Sequence, residues 1–439
     1  MIQSNTAIVV GAGLAGCEAA WNCAERGVPV TLYEQKPCIS SEQLTESQDI
    51  TSHKLSTKCP PGQPGTAYHD DNFAELVCSN SLKSKLENKA PGMLKAWCKS
   101  KGSLLLDCAK QTEVPAGNAL AVDRDKFSAL VTEEIKSHPL ITVKHETIND
   151  INTLPADAHI VLATGPLTNN SLLRSLGLDA KNLFFYDASS PIIRFEDIDM
   201  TKAFFGERYG DPENPSTDYI NCPFTAEQYD TFHVELVNAR RAELHDFDQQ
   251  VEPQNIVVFE GCMPVERLAE RGKDAMRYGM LKPVGFSKSL GWKPRAVLQL
   301  RREDENGTLW NLVGFQTNLA FPEQERVFRM IPGLERAKFV RYGVMHRNTY
   351  LDAPRVLDKH LRLKNLPHVF VAGQLNGMEG YNAAIASGLY CGINLAKACK
   401  GEALYTPEAG IFAAMVDYVT DDSIKEFKPL QLNLGLLKK

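Results

Sequence analysis

What the 439-residue chain lacks narrows its class first. No apolar run approaches the ~18 residues that a bilayer span requires, so no membrane segment is expected. The opening Met1-Ile2-Gln3-Ser4-Asn5 has no basic residue and a glycine-rich motif follows at once, so no signal peptide is expected and a cytoplasmic location is. The 11 cysteines are scattered from Cys17 to Cys399 and never pair as C-x-x-C. That argues against a zinc ribbon, a dithiol motif or a disulfide framework, and no metal is expected. An odd count in a reducing compartment leaves free thiols, most of them small core residues. Charged residues at 23% and hydrophobic ones at 43% exclude a disordered, collagenous or coiled-coil chain.

What is present begins with length, about three times the ~150 residues of one domain. The first texture is α/β. Residues 7–10 form a short apolar run read as a buried parallel strand, a helix follows, and a second strand at 28–33 ends at Glu34. The polar stretch 35–72 has no periodicity and reads as a lid or a disordered loop. Helices are expected over 73–86, over 91–109 with a break at Gly102-Ser103, and over 124–136 after Asp123, with a strand at 159–163. From about Tyr186 the pattern changes, with helices at 226–241 and 265–278 and a hairpin of 295–302 with 309–316. The first texture returns near Arg341, with a strand at 368–372 and a Gly/Ala-rich helix over 381–400. The expected fold is α/β: a Rossmann-like domain (1–186 and 337–439) interrupted by an inserted α+β domain (187–336).

Gly11, Gly13 and Gly16 form G-x-G-x-x-G between a strand and a helix. The first glycine permits a tight turn, the second lets backbone approach a pyrophosphate, and the third lets helix and strand pack closely. The helix N-terminus offers N–H groups to phosphate, and Glu34 stands where an acid accepts ribose hydroxyls. Two later strands, ending at Thr164-Gly165 and at Gly373, and Gly380 at the start of the last long helix, favour FAD over NAD. No second G-x-G-x-x-G marks a nicotinamide domain. The expected cofactor residues are Gly11, Ala12, Gly13, Leu14, Ala15, Gly16, Glu34, Thr164, Gly165, Gly373, Gln374 and Gly380.

The net charge of −6 hides a polarity. Residues 196–235 hold ten acids and only Lys202 and Arg208, whereas 273–302 hold eight Lys/Arg and one acid, Asp274. A local basic surface suits a polyanion, because the field acts within ~8–10 Å. A solvated face paired with acids elsewhere in the fold explains the same counts. Lys282, Lys293, Arg295 and Arg302 are the candidate contacts to such a polyanion.

Several segments carry a family resemblance: 10–20 (VGAGLAGCEAA), 73–82 (FAELVCSNSL), 114–125 (VPAGNALAVDRD), 162–168 (LATGPLT), 313–317 (VGFQT), 341–349 (RYGVMHRNT) and 379–381 (EGY). In these the chain resembles the folate- and FAD-dependent RNA (uracil-5-)-methyltransferases of the MnmG/TrmFO flavoprotein family. The resemblance implies methylation of uridine C5 in the T-loop of tRNA. It implies 5,10-methylenetetrahydrofolate as one-carbon donor, NAD(P)H as reductant, and functional cysteines at Cys78 and Cys262. A thiolate suits reversible addition to uracil C6, which activates C5. Cys262, in the inserted domain just before the basic segment, is expected to make that addition, and Cys78, after the polar stretch, to face the cofactor. Without the resemblance any one cysteine is sooner core than nucleophile, but Cys78 sits among Ser79, Asn80 and Ser81, a polar setting unlike a core, and Cys262 lies between Glu260 and Pro264 at an expected exposed strand-to-helix corner. Three alternatives stay open: the same chemistry on large ribosomal RNA, a flavin oxidoreductase of a small molecule, and a non-catalytic RNA-binding flavoprotein. The oligomeric state is left open.

Overall fold

The computed structural model describes residues 6–36, 71–178, 183–208, 215–242 and 263–438. Most of the polar stretch expected over 35–72, and Cys262, lie outside them. The apolar runs build a five-stranded parallel sheet in the order Val369–Val371, His159–Leu162, Ala7–Val10, Val30–Glu34, Ile141–His145. Ala7–Val10 lies at the centre and the chain departs from it to both sides. That makes the carboxyl end of this strand the switch point at which open α/β sheets bind ligands.

Helices Leu14–Ala24 and Tyr381–Cys399 cover the sheet at backbone contact. A Cβ at Gly388 would stand 2.2 Å from the Ala15 carbonyl oxygen, and one at Gly392 2.4 Å from that of Ala19. The small residues of the last helix are therefore a packing requirement. The expected 91–109 segment is the two helices Ala90–Ser100 and Leu104–Gln111, with Ser103 capping the second through Leu106 N–H. Asp123 caps Arg124–Ser137 through Lys126 N–H, as an N-cap acid should.

The second unit is an antiparallel sheet in the order Phe204–Phe205, Tyr219–Phe224, Ala296–Arg302, Leu309–Leu312, Ile192–Arg194, Phe339–Arg341. Phe224, Tyr229, Phe232, Phe315 and Phe328 fill its core beneath helices Ala226–Asn238 and Phe321–Phe328. Its last strand runs past residue 336 to Arg341. A two-stranded ribbon, Leu183–Ala188 with Met345–Tyr350, carries the chain into and out of this unit.

Two expected helices are not found. Over 73–86 the chain makes turns and then the strand Ser81–Ser84. Its backbone groups are spent on distant partners: Phe73 N–H on Thr132 Oγ1, Ala74 N–H on the Ala12 carbonyl, and the Leu76 carbonyl on Arg124. Tertiary partners override helical propensity here. The 265–278 helix ends at Glu270 and resumes as a 3₁₀ turn at Ala275–Tyr278, because Gly272 adopts φ +134°.

Candidate active site

At the carboxyl end of Ala7–Val10 the glycine turn wraps a cavity of about 460 Å³. Gly11 has φ +100°, and a Cβ there would stand 2.5 Å from the Ala163 carbonyl oxygen. A Cβ on Gly16 would stand 1.7 Å from the Gly11 carbonyl oxygen, so this glycine serves helix-to-turn packing and is absent from the cavity lining. Gly13 differs: it lines the cavity, and its Cβ position meets no heavy atom within 4 Å. No side chain caps the helix that starts at Leu14, which leaves its end open to an anion. Glu34 is buried at the edge of the turn, accepting from Ala12 N–H at 2.7 Å and Lys36 N–H at 2.9 Å. Apart from Gly16, every glycine, acid and strand-end residue of the expected cofactor set lines this one cavity.

Cys78 lines it too. The turn that carries it is held from three sides. Tyr381, the first residue of the last long helix, places its hydroxyl 2.8 Å from Cys78 N, 3.2 Å from Ser79 N and 3.1 Å from Cys78 Sγ. Arg301, from the antiparallel sheet, donates to Asn80 Oδ1 and Ser79 Oγ, both at 2.9 Å. Arg124 donates to the Leu76 carbonyl at 2.7 Å and pairs with the buried Glu303 at 2.5 Å. The thiol therefore sits where the two units meet. Burial pushes it up to about 11, helped by the nearby Asp187 carboxylate and opposed by the Tyr381 hydroxyl and Arg124.

Asp187, from the connecting ribbon, also lines the cavity, and burial raises its carboxyl to about 6. Among the described residues, Gln374 Nε2, Asn382 Oδ1 and Glu379 Oε2 are buried polar atoms of the cavity lining without a partner. Unpartnered buried polar atoms are costly, and converging donors and acceptors fit a polar heteroaromatic ligand. Sequence reasoning did not single out Tyr381, Asp187, Arg301 or Glu379. For two of them a signal existed, since Glu379 and Tyr381 flank the Gly380 that it chose.

The four basic candidates lie outside the cavity lining and do not form one cluster. Arg295 immediately precedes strand Ala296–Arg302 and pairs with Asp274 at 2.9 Å. Lys282 and the exposed Lys293 belong to the same end, where Leu281 accepts from Val297 N–H. Arg302 closes the other end, roughly 20 Å away at ~3.3 Å per residue, with its guanidinium 5.5 Å from the Trp310 ring centroid. Asp274 and Asp230 neutralise part of the basic segment through Arg277, Arg295 and Lys273. Cys262 lies outside the described residues. The described chain resumes at Met263, and Val265 N–H donates to the carbonyl of Gln316, a cavity-lining residue, at 2.7 Å.

A glycine turn at the switch point of a parallel sheet, an acid closing the second strand and an inserted antiparallel unit define a Rossmann-type dinucleotide-binding flavoprotein fold. The family model described as glucose inhibited division protein A matches residues 6–403, and the chain belongs to this family, in its TrmFO branch. A protein of Acetivibrio thermocellus named methylenetetrahydrofolate--tRNA-(uracil-5-)-methyltransferase TrmFO is 47% identical over 98% of this chain and 91% of its own length. A protein of the same name from Caldicellulosiruptor bescii is 46% identical over the same shares. Among solved structures, Aquifex aeolicus GidA superposes with a TM-score of 0.66 at 16% identity, covering 97% of this chain and 71% of that one, which speaks for the fold alone.

Proposed function

We propose that the chain is a methylenetetrahydrofolate-dependent tRNA (uracil-5-)-methyltransferase that binds FAD and takes NAD(P)H as reductant. The observation that carries this reading is that Cys78 and the glycine turn open onto one cavity, in a chain 47% identical to a protein named for that activity. FAD fits the residues present. The open Gly13 and uncapped helix end would take the pyrophosphate, Glu34 a ribose, and Thr164, Gly165, Gly373, Gln374 and Gly380 the flavin side. When bound, FAD supplies the redox chemistry that completes a methyl group from a methylene.

The protein's own part is to hold the uracil, activate it and move protons. Cys262 adds to C6 and raises the electron density at C5, and Cys78 assists from the cofactor side. Support for this division comes from the placement of Val265 beside Gln316 and of Cys78 beside Tyr381. Catalysis needs both reactants pinned, and this division gives one thiol to the RNA and one to the cofactor side. Lys282, Lys293 and Arg295 would meet RNA phosphates at one end of their strand, and Arg302 at the other.

The test is incubation of the yellow protein with methylenetetrahydrofolate, NADH or NADPH, and tRNA or large ribosomal RNA lacking the modification, followed by nucleoside analysis. Folate-dependent 5-methyluridine in tRNA is expected. Its formation only in ribosomal RNA would move the substrate, and its absence from both would refute the reading.

A further inference from the structure

Past Asp274, the last acid of the basic segment, the antiparallel unit presents aromatic rings to solvent. Tyr278 ends the 3₁₀ turn Ala275–Tyr278 and is 86% exposed, and Trp292, behind the left-handed Gly291, is 41% exposed. Among the described residues neither ring meets another ring or a cation. The segment between them is firmly held. Arg208 donates to the carbonyls of Lys282 and Val284 and lies 4.9 Å from the Phe286 ring centroid. Leu281 and Phe286 are buried beneath it, and Leu281 accepts from Val297 N–H. Arg277 Nε donates to the Arg295 carbonyl at 2.7 Å, which by chain reach sets Tyr278 and Trp292 within roughly 25 Å of each other. The cations beside the rings are of two kinds. Lys273, Arg277 and Arg295 pair with Asp230 and Asp274. Lys282, Lys288 and Lys293 make no ion pair among the described residues, and no acid occurs from 275 to 302. A single exposed apolar residue is ordinary. Two aromatic rings and the half-exposed Val284 among unpaired cations, on an acid-free segment, mark a binding surface.

We propose that Tyr278 and Trp292 form a base-stacking platform for unpaired nucleotides of the RNA substrate that flank the target uridine, with Lys282, Lys288 and Lys293 holding the phosphates between them. The inference rests on the RNA reading above. The class of partner follows from what surrounds the rings. Protein interfaces are depleted in lysine, and a second copy of this face would bring lysine against lysine. A single-stranded nucleic acid supplies both complements, π faces for the rings and phosphates for the ammonium groups. An A-form helix hides its base faces, so the platform selects loops. The rings serve flanking bases because they stand aside from the reacting groups. Neither lines the cavity. Met280 packs on the turn at Gly314, where a Cβ would stand 2.4 Å from Met280 Cβ, and Gln316, two residues further, reaches the cavity wall. That path puts Tyr278 within roughly 20 Å of the cavity lining, a span that a few extended nucleotides bridge.

The experiment measures equilibrium binding of two RNAs to flavin-loaded protein by fluorescence anisotropy: a tRNA transcript lacking the modification, and a blunt duplex of similar length with no unpaired base. The parent is expected to bind the transcript more tightly. Tyr278→Ala and Trp292→Ala should each weaken binding of the transcript by about fivefold to a hundredfold, the range for one lost base stack, and leave the duplex unchanged. Tyr278→Phe and Trp292→Phe keep a π face and should retain most of the affinity. Lys288→Ala should weaken both RNAs alike and lower the salt slope by about one. Alanine variants that hold the transcript as tightly as the parent overturn the proposal, and so do alanine variants that lose transcript and duplex equally. Phenylalanine variants as weak as the alanine ones overturn stacking in favour of hydrogen bonding. Equal binding of the two RNAs by the parent overturns it without any variant. A change of oligomeric state with unchanged RNA affinity would give the face to a second copy, and overturns it too. A parent that holds flavin yet binds neither RNA refutes instead the RNA reading on which the proposal stands.

Discussion

Gly13 and Gly16 belong to one motif, yet the structure gives them opposite consequences. At Gly13 a Cβ meets nothing within 4 Å, so Gly13→Val costs the cofactor-free fold little. The main loss is the poorer N-cap, about 1 kcal/mol, which lowers Tm by no more than a few degrees in a chain of this size. The added methyls instead fill the space through which a pyrophosphate must approach. Losing two charge-assisted contacts there, each worth about 1.5–3 kcal/mol, weakens FAD binding by about 10²–10⁴-fold. At Gly16 a Cβ would stand 1.7 Å from the Gly11 carbonyl oxygen, which is backbone and has no rotamer to yield. Gly16→Ala must displace the helix or the turn, and its cost falls on folding. The assay pairs flavin absorbance per protein with thermal unfolding of the apoprotein. Gly13→Val should be colourless and nearly as stable as the parent apoprotein, and Gly16→Ala unstable whatever its colour. Purification of Gly13→Val with a full flavin complement would refute the placement of the cofactor.

Cys78, raised to about 11 by burial, is a neutral thiol below that pH and a thiolate above it. Its alkylation in the apoprotein, followed by peptide mass spectrometry, should therefore rise about tenfold per pH unit up to that range. A plateau near pH 8 would contradict the assigned environment. Glu303→Ala should cost about 3–5 kcal/mol in urea unfolding, because it strands the buried Arg124 guanidinium without its partner; a loss below 1 kcal/mol would show that the clamp is unimportant. Cys262→Ala should abolish methyl transfer and the covalent adduct with 5-fluorouridine RNA while flavin reduction persists. If Cys262→Ala methylates normally and Cys78→Ala does not, the two thiols exchange roles. RNA affinity should fall steeply with salt, and reversing Lys282 and Arg302 together should weaken all RNA sequences alike; a salt-indifferent binding constant would argue against the phosphate contacts.

What could be read from the residues divides along a physical line. The strands of the parallel sheet, the G-x-G-x-x-G turn and the helix behind Asp123 are local: each is determined by a run of apolar residues, a turn or a cap within a few positions. These are legible to within about two residues, except the edge strand Ile141–His145, for which no strand is expected above. The helix expected over 73–86 was not, because 73–80 takes its partners from Ala12, Arg124, Thr132, Arg301 and Tyr381, at separations up to 303 residues. No window of sequence contains that information.

The same distinction separates the two kinds of site residue. Glycines that cradle a phosphate announce themselves by spacing, since their chemistry is that of the backbone. Tyr381 and Glu379 are marked only by flanking Gly380, and Asp187 by nothing, because their roles come from convergence on a cavity of chain separated by more than 100 positions. Cys78 shows why the two must be combined. Its polar neighbours Ser79 and Asn80 look like a solvent-exposed turn, yet both are spent on Arg301 and the backbone around it. The polarity around the thiol is thus the wiring of a joint between two units. A reactive group placed on such a joint feels any shift of the antiparallel unit through Arg301 and any shift of the last helix through Tyr381. Its position is set by the closure of the whole fold.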